Sequence, residues 1–142
     1  MKVSLVLSLL LLSGAVRAAE DTRQLAPMPP AAEANLRAEM RASLLALNDI
    51  LALVAAGKLR EAGEVAEKEL GTSAMGKYRM LPFEARPGPH MPPAMHAIGI
   101  DGHQAASKFA RLAASGDREQ TVAALPSLTA ACVACHYSYR IR

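Results

Sequence analysis

Cys132 and Cys135 are the only two cysteines in this chain, and His136 follows the second directly. Two thiols at that spacing could close a disulfide, work as a redox pair, hold a metal or bond to a prosthetic group. A disulfide across Cys-x-x-Cys closes a very short loop, and short loops gain little from cross-linking. A redox pair of the thioredoxin kind needs a strand-helix-strand setting. No strand-like alternation surrounds residues 125–140. A structural zinc site usually takes four ligands. Here only Cys132, Cys135 and His136 cluster, with no second pair.

Covalent attachment of haem remains, and Cys-x-x-Cys-His is its signature. The spacing has a chemical reason. Positions three apart on a helix share a face. Cys132 and Cys135 can therefore each add to one of the two vinyl groups on one macrocycle. The His136 imidazole, next to Cys135 and one turn from Cys132, can then reach under the ring as the proximal iron ligand. The cofactor expected is one haem c per chain.

Thioether formation of this kind suits an exported chain, and residues 1–18 read as a secretory leader. Lys2 gives the positive start, and Val3 to Leu12 is a ten-residue run, almost all apolar. Val16-Arg17-Ala18 fits a cleavage site, with removal after about Ala18. The run is shorter than the roughly 20 residues that span a bilayer. A retained signal anchor is the rival reading, but no later stretch resembles a stop-transfer segment. The expected location is the periplasm, with no stable membrane span once the leader is lost. The full chain has 16 Lys and Arg against 13 Asp and Glu, a net charge of +3. The leader holds Lys2 and Arg17 and no acid, leaving 14 against 13, a net of +1. Such balance gives no support to nucleic-acid binding, which needs a basic patch. About 124 residues remain, enough for one domain with a single core. A hydrophobic content of 51% with no Trp and two Phe points to an interior of Ala and Leu.

The elements that must position the motif read as helices. Residues 19–30 form an irregular, Pro-rich lead-in. A first helix is expected over 31–56, with Leu36, Met40, Leu44, Leu47, Leu51 and Val54 as its buried stripe. A second runs over 59–70, with Leu59, Ala62, Val65, Ala66 and Leu70 inward. Residues 72–92 hold Pro82, Pro87, Pro89 and Pro92 and form a long connection. A third helix covers 93–114, weakened by Gly99 and Gly102. The fourth covers 118–139, with Asp117 as N-cap, Gln120 completing a capping box, and a kink near 122–126 from Pro126. The fold class is all-α, an up-down-up-down four-helix bundle with covalently bound haem c. The motif then lies near the bottom of the last helix. At about 1.5 Å per residue, its height matches one to two turns into the first or third helix.

A haem motif at the extreme C-terminus of four helices resembles the class II c-type cytochromes, the cytochrome c-prime family. Cys132, Cys135, His136, Tyr139 and Arg140 carry the likeness, together with the helix order over 31–142. The resemblance implies a periplasmic protein with one haem c, often dimeric. In that family a residue of the first helix sits over the open haem face. Low-spin members place a methionine there and carry electrons; high-spin members leave the face without a ligand and bind small gases such as nitric oxide. By resemblance, Met40 is the leading sixth ligand. The family often carries an Arg four residues before that methionine, whereas Arg37 stands three before Met40.

Met40 has rivals. His90, Met91, Met95, His96 and His103 lie just before or within the third helix, and Met95, His96 or Met91 could take the sixth position, or it stays empty. No spacing there gathers three or four soft ligands on one face for copper, and His103 reads as a helix histidine without a role. Arg140, one turn past His136, is a candidate partner for a haem propionate, against a solvated terminal arginine. Tyr139 is expected against the macrocycle edge or the first helix, and Lys77, Tyr78 and Arg79 are candidates to flank the propionates. The expected function is electron transfer between redox partner proteins, by a chain that is not an enzyme and that can form a homodimer. The alternative is a five-coordinate haem protein that binds gases such as nitric oxide. A third possibility is a haem-free metal-binding or helical interaction module.

Overall fold

Proline starts both long helices. In the computed structural model, which describes residues 20–142, α1 spans Pro30–Ala55 and α3 spans Pro93–Ala114. Each has proline in its first turn, where the missing N–H has no intrahelical partner to lose. Between them, α2 spans Leu59–Val65 and widens into a π-helical turn over Ala66–Leu70. The connection carries only 3-10 turns at Thr72–Ala74, Phe83–Ala85 and Gly88–His90. The leader expected over residues 1–18 lies outside the described residues. No helix among the described residues is long and apolar enough to cross a membrane.

The expected last helix is two helices, α4 over Arg118–Ala123 and α5 over Leu125–Ser138. Pro126 sits in the first turn of α5 and cannot donate back to Val122, and the helix is interrupted at Ala124, inside the expected 122–126 region. Ala124 itself keeps helical dihedrals and donates to the Gln120 carbonyl at 3.1 Å. Asp117 caps α4 as its sequence suggests, accepting from the Gln120 backbone N–H at 2.9 Å. The Gln120 amide returns to the Asp117 carboxylate at 2.8 Å instead of to its backbone.

The lead-in is not wholly irregular, and the last helix stops one residue short of Tyr139. Gln24–Leu25 (β1) pairs in parallel with Tyr139–Arg140 (β2), Gln24 opposite Tyr139 and Leu25 opposite Arg140. The Ala26 N–H adds a further bond to the Arg140 carbonyl at 2.8 Å. Extended pairing gives partners to backbone groups that a fraying helix end would leave unmet.

α1 packs on α2, α2 on α3, and α3 on α5. Gly63 sets the α2–α3 spacing: a Cβ there would lie 2.8 Å from the Ala110 carbonyl oxygen. The main core joins Ile50, Val54, Leu59, Ala62, Ala66, Ala106, Phe109, Ala110, Ala113 and Leu128. A second cluster, Ala26, Leu36 and Met95, has Met28, Met91, Cys135, Tyr139 and Ile141 packed on it. The α1 stripe expected from the sequence is only partly the buried one. Leu36 and Val54 are buried, but Leu44 is 68% and Leu51 45% exposed, and Ala46 and Ile50 take the inner positions. α1 carries leucine on more than one face, so spacing alone does not choose between faces.

Candidate functional site

α1, α3 and α5 enclose a cavity of about 430 Å³ at the end of the molecule that holds the second apolar cluster. That volume falls within the roughly 300–1,000 Å³ of small-molecule and cofactor sites. Cys132, Cys135 and His136 line one side of it from α5. Cys132 and His136 are exposed at the rim, and Cys135 is half-buried against Leu36 and Met95. Both cysteines are free thiols. Burial pushes the Cys135 thiol up from its ordinary value, and the neighbouring Cys132 adds to the rise.

The facing walls come from α1 and α3. Leu36, Arg37, Glu39, Met40 and Ser43 line the cavity from α1, and Met95, Ile98, Gly99, Gly102, His103 and Ala106 from α3. Met91 joins them from the connection. Three methionines therefore border the space that Cys132, Cys135 and His136 border. Met95 is 6% exposed and Met40 38%, so the α3 sulfur is the more enclosed. The glycines shape the α3 wall. A Cβ at Gly102 would approach the Ala131 Cβ to 3.1 Å, so the glycine brings α3 close to α5 just above the motif. A Cβ at Gly99 would meet nothing within 4 Å, because the wall is open there.

The structure does not bring every candidate to this cavity. His96 is exposed and lies against Gly88, its Nε2 3.4 Å from where a Cβ would stand. The His90 Nε2 is 3.2 Å from the Phe83 carbonyl oxygen. Neither lines the cavity. Lys77, Tyr78 and Arg79 also stand off it: Lys77 pairs with Glu39 at 3.1 Å, and the Tyr78 hydroxyl donates to the Asn35 carbonyl at 3.1 Å. Tyr139 and Arg140 do line it, from β2.

Two lining residues carry no signal in the sequence. Arg23 arrives from the lead-in, and its Nη1 donates to the His136 carbonyl at 3.3 Å. His103 is tethered through Nδ1 to the carbonyls of Leu70, at 2.8 Å, and Gly71, at 3.1 Å. Carbonyl oxygens only accept, so Nδ1 is the donor in these contacts. Gly99 and Gly102 read in the sequence only as weak points of the third helix; in the structure both line the cavity.

No family model, curated protein or solved structure matches this chain. The likeness to the cytochrome c-prime family therefore rests on Cys132, Cys135, His136, Tyr139 and Arg140 and on the order of the helices. What the site can do follows from its groups. Two thiols on one helical face can add to two alkenes, imidazole and thioether side chains are ligand types for soft or borderline metals, and arginines at the rim can hold carboxylates.

Proposed function

We propose that this chain is a periplasmic monohaem c-type cytochrome of the cytochrome c-prime kind, an up-down-up-down bundle that carries electrons between redox partner proteins. One observation carries the reading: one largely apolar cavity is bordered by Cys132, Cys135 and His136 and by Met40, Met91 and Met95. The volume of about 430 Å³ and the residue types around it support haem c as the occupant. Cys132 and Cys135 would hold it by thioethers, His136 would be the proximal ligand, and Met40 or Met95 the distal one. The buried Nε of Arg140 lacks a hydrogen-bond partner and fits an acidic substituent at the rim. Bound haem supplies a one-electron change at iron whose potential depends on axial ligands and burial. The chain's own part is to exclude water with Leu36, Met95, Ile98 and Ala106, to orient the imidazole, and to leave the Cys132 edge exposed for transfer.

The gas-binding alternative has its own support. Leu36, one turn before Met40, is 4% exposed and belongs with Met95 and Cys135 to one cluster. An apolar side chain in that place would leave the iron five-coordinate. The visible spectrum of purified protein separates the readings. Sharp split bands on reduction support the electron carrier. Broad bands that shift with carbon monoxide support gas binding. A colourless protein from a host that attaches haem contradicts both.

A further inference from the structure

Arg140 is anchored in β2, yet its buried Nε has no hydrogen-bond partner. The Asp21 carboxylate is 3.8 Å away, beyond bonding distance. Arg23 holds that same carboxylate closely, through Nε at 2.9 Å and Nη2 at 2.8 Å. Arg23 and Arg140 both border the cavity. They are 117 positions apart in the sequence, and the β1–β2 ladder brings them together. The Ala26 bond to the Arg140 carbonyl and the burial of Ala26, 2% exposed, fix the ladder against the body of the molecule. Two guanidiniums thus face one carboxylate at the rim, and one buried donor is left over.

We propose that Arg23 and Arg140 form a carboxylate receptor at the cavity rim, and that Asp21 stands in for the acidic group of the occupant until the occupant seats. The inference rests on the haem reading in naming that group as a propionate. A guanidinium takes a carboxylate through two parallel N–H donors, and the free Arg140 Nε is half of such a fork. A propionate in the fork satisfies the orphaned donor, which the 3.8 Å contact to Asp21 does not. Asp21 is well suited to stand in. Its hydrogen bonds from Arg23 hold its carboxyl down at about 2, so it is an anion at every physiological pH. It is also exposed, so it can swing to solvent when displaced.

The test uses the haem-free full chain titrated with iron protoporphyrin IX and with its dimethyl ester, followed by absorbance. The ester replaces each propionate anion with a neutral methyl ester. The chain should bind the free acid tighter, on the order of tenfold, as expected for a charge-assisted pair. Arg23→Gln and Arg140→Gln should each bring the ratio toward one. Arg140→Lys, which keeps charge and strand pairing but not the fork, should lose most of the preference. Asp21→Asn should raise affinity for the free acid and leave the ester unchanged. Equal binding of both probes by the unmutated chain overturns the receptor while the haem reading stands. Weaker free-acid binding by Asp21→Asn overturns the stand-in role. Failure to bind either porphyrin overturns the receptor as a propionate site, while the covalent haem reading is decided separately by the mass and spectrum of the exported chain.

Discussion

Alanine at two helical glycines should move stability in opposite directions. In both positions alanine gains about 0.5–1 kcal/mol from helix propensity. At Gly99 nothing lies within 4 Å of the new Cβ, so the gain stands alone and the chain should be stabilised by that amount. At Gly63 the Cβ would fall 2.8 Å from the Ala110 carbonyl oxygen and 3.2 Å from the Ala113 Cβ. The first of these is backbone and cannot rotate away, so α2 and α3 must separate. Overpacking of this kind costs about 1–3 kcal/mol, and a fixed obstacle puts the cost in the upper half of that range. The net loss at Gly63 is about 1–2 kcal/mol, and the two variants should differ by about 2–3 kcal/mol. Urea denaturation of the haem-free chain, followed by circular dichroism, reads this as midpoints roughly 1 M or more apart with equal slopes. Equal midpoints, or a Gly63→Ala midpoint above that of Gly99→Ala, would refute the close α2–α3 approach.

Met40→Ala should abolish a low-spin spectrum and lower the reduction potential if Met40 is the distal ligand. An unchanged spectrum moves the assignment to Met95 or Met91, and Met95→Ala then decides it. Asp117→Ala removes the acceptor for the Gln120 N–H and should cost about 1 kcal/mol, seen as a lower urea midpoint. The Asp21–Arg23 pair should persist through mild acid. Its carboxyl is depressed from 3.8 to about 2, chiefly by hydrogen bonds from Arg23, so what the pair adds is complete above the ordinary value and lost as pH falls toward 2. Amide exchange at Gln24 and Ala26 should therefore quicken only at the acid end of that window. Loss of protection already near pH 5 would contradict it.

Much of the fold was legible because punctuation is strong where the helices start and stop. Pro92-Pro93 and Ser115-Gly116-Asp117 bound α3, and the structure ends it at Ala114. The inner face of α1 was not legible, since Leu44, Leu45, Leu47, Leu51 and Leu53 spread around the helix. Partners in α2 and α3 then decide which side is buried. Pro126 announced a disturbance near 122–126, and the structure interrupts the helix there, at Ala124. The β1–β2 pairing spans two residues a side, too short for any alternation, and unites distant segments. The site divides in the same way. Cys132, Cys135, His136, Met40, Met95 and Arg140 border one cavity, as antiparallel helices with the motif near one end would arrange them. His96, one residue from Met95, points elsewhere, because neighbours on a helix lie about a quarter turn apart and on different faces. Arg23 depends on a ladder that no local pattern encodes, and His103 on the carbonyls of Leu70 and Gly71.

The most direct test is the intact mass and visible spectrum of the chain produced in a host that exports it and attaches haem. A coloured product, lighter by residues 1–18, heavier by one haem, and with no thiol free to react at Cys132 or Cys135, is expected. A colourless product of unmodified mass with both thiols reactive would contradict the covalent haem on which the electron-transfer reading depends.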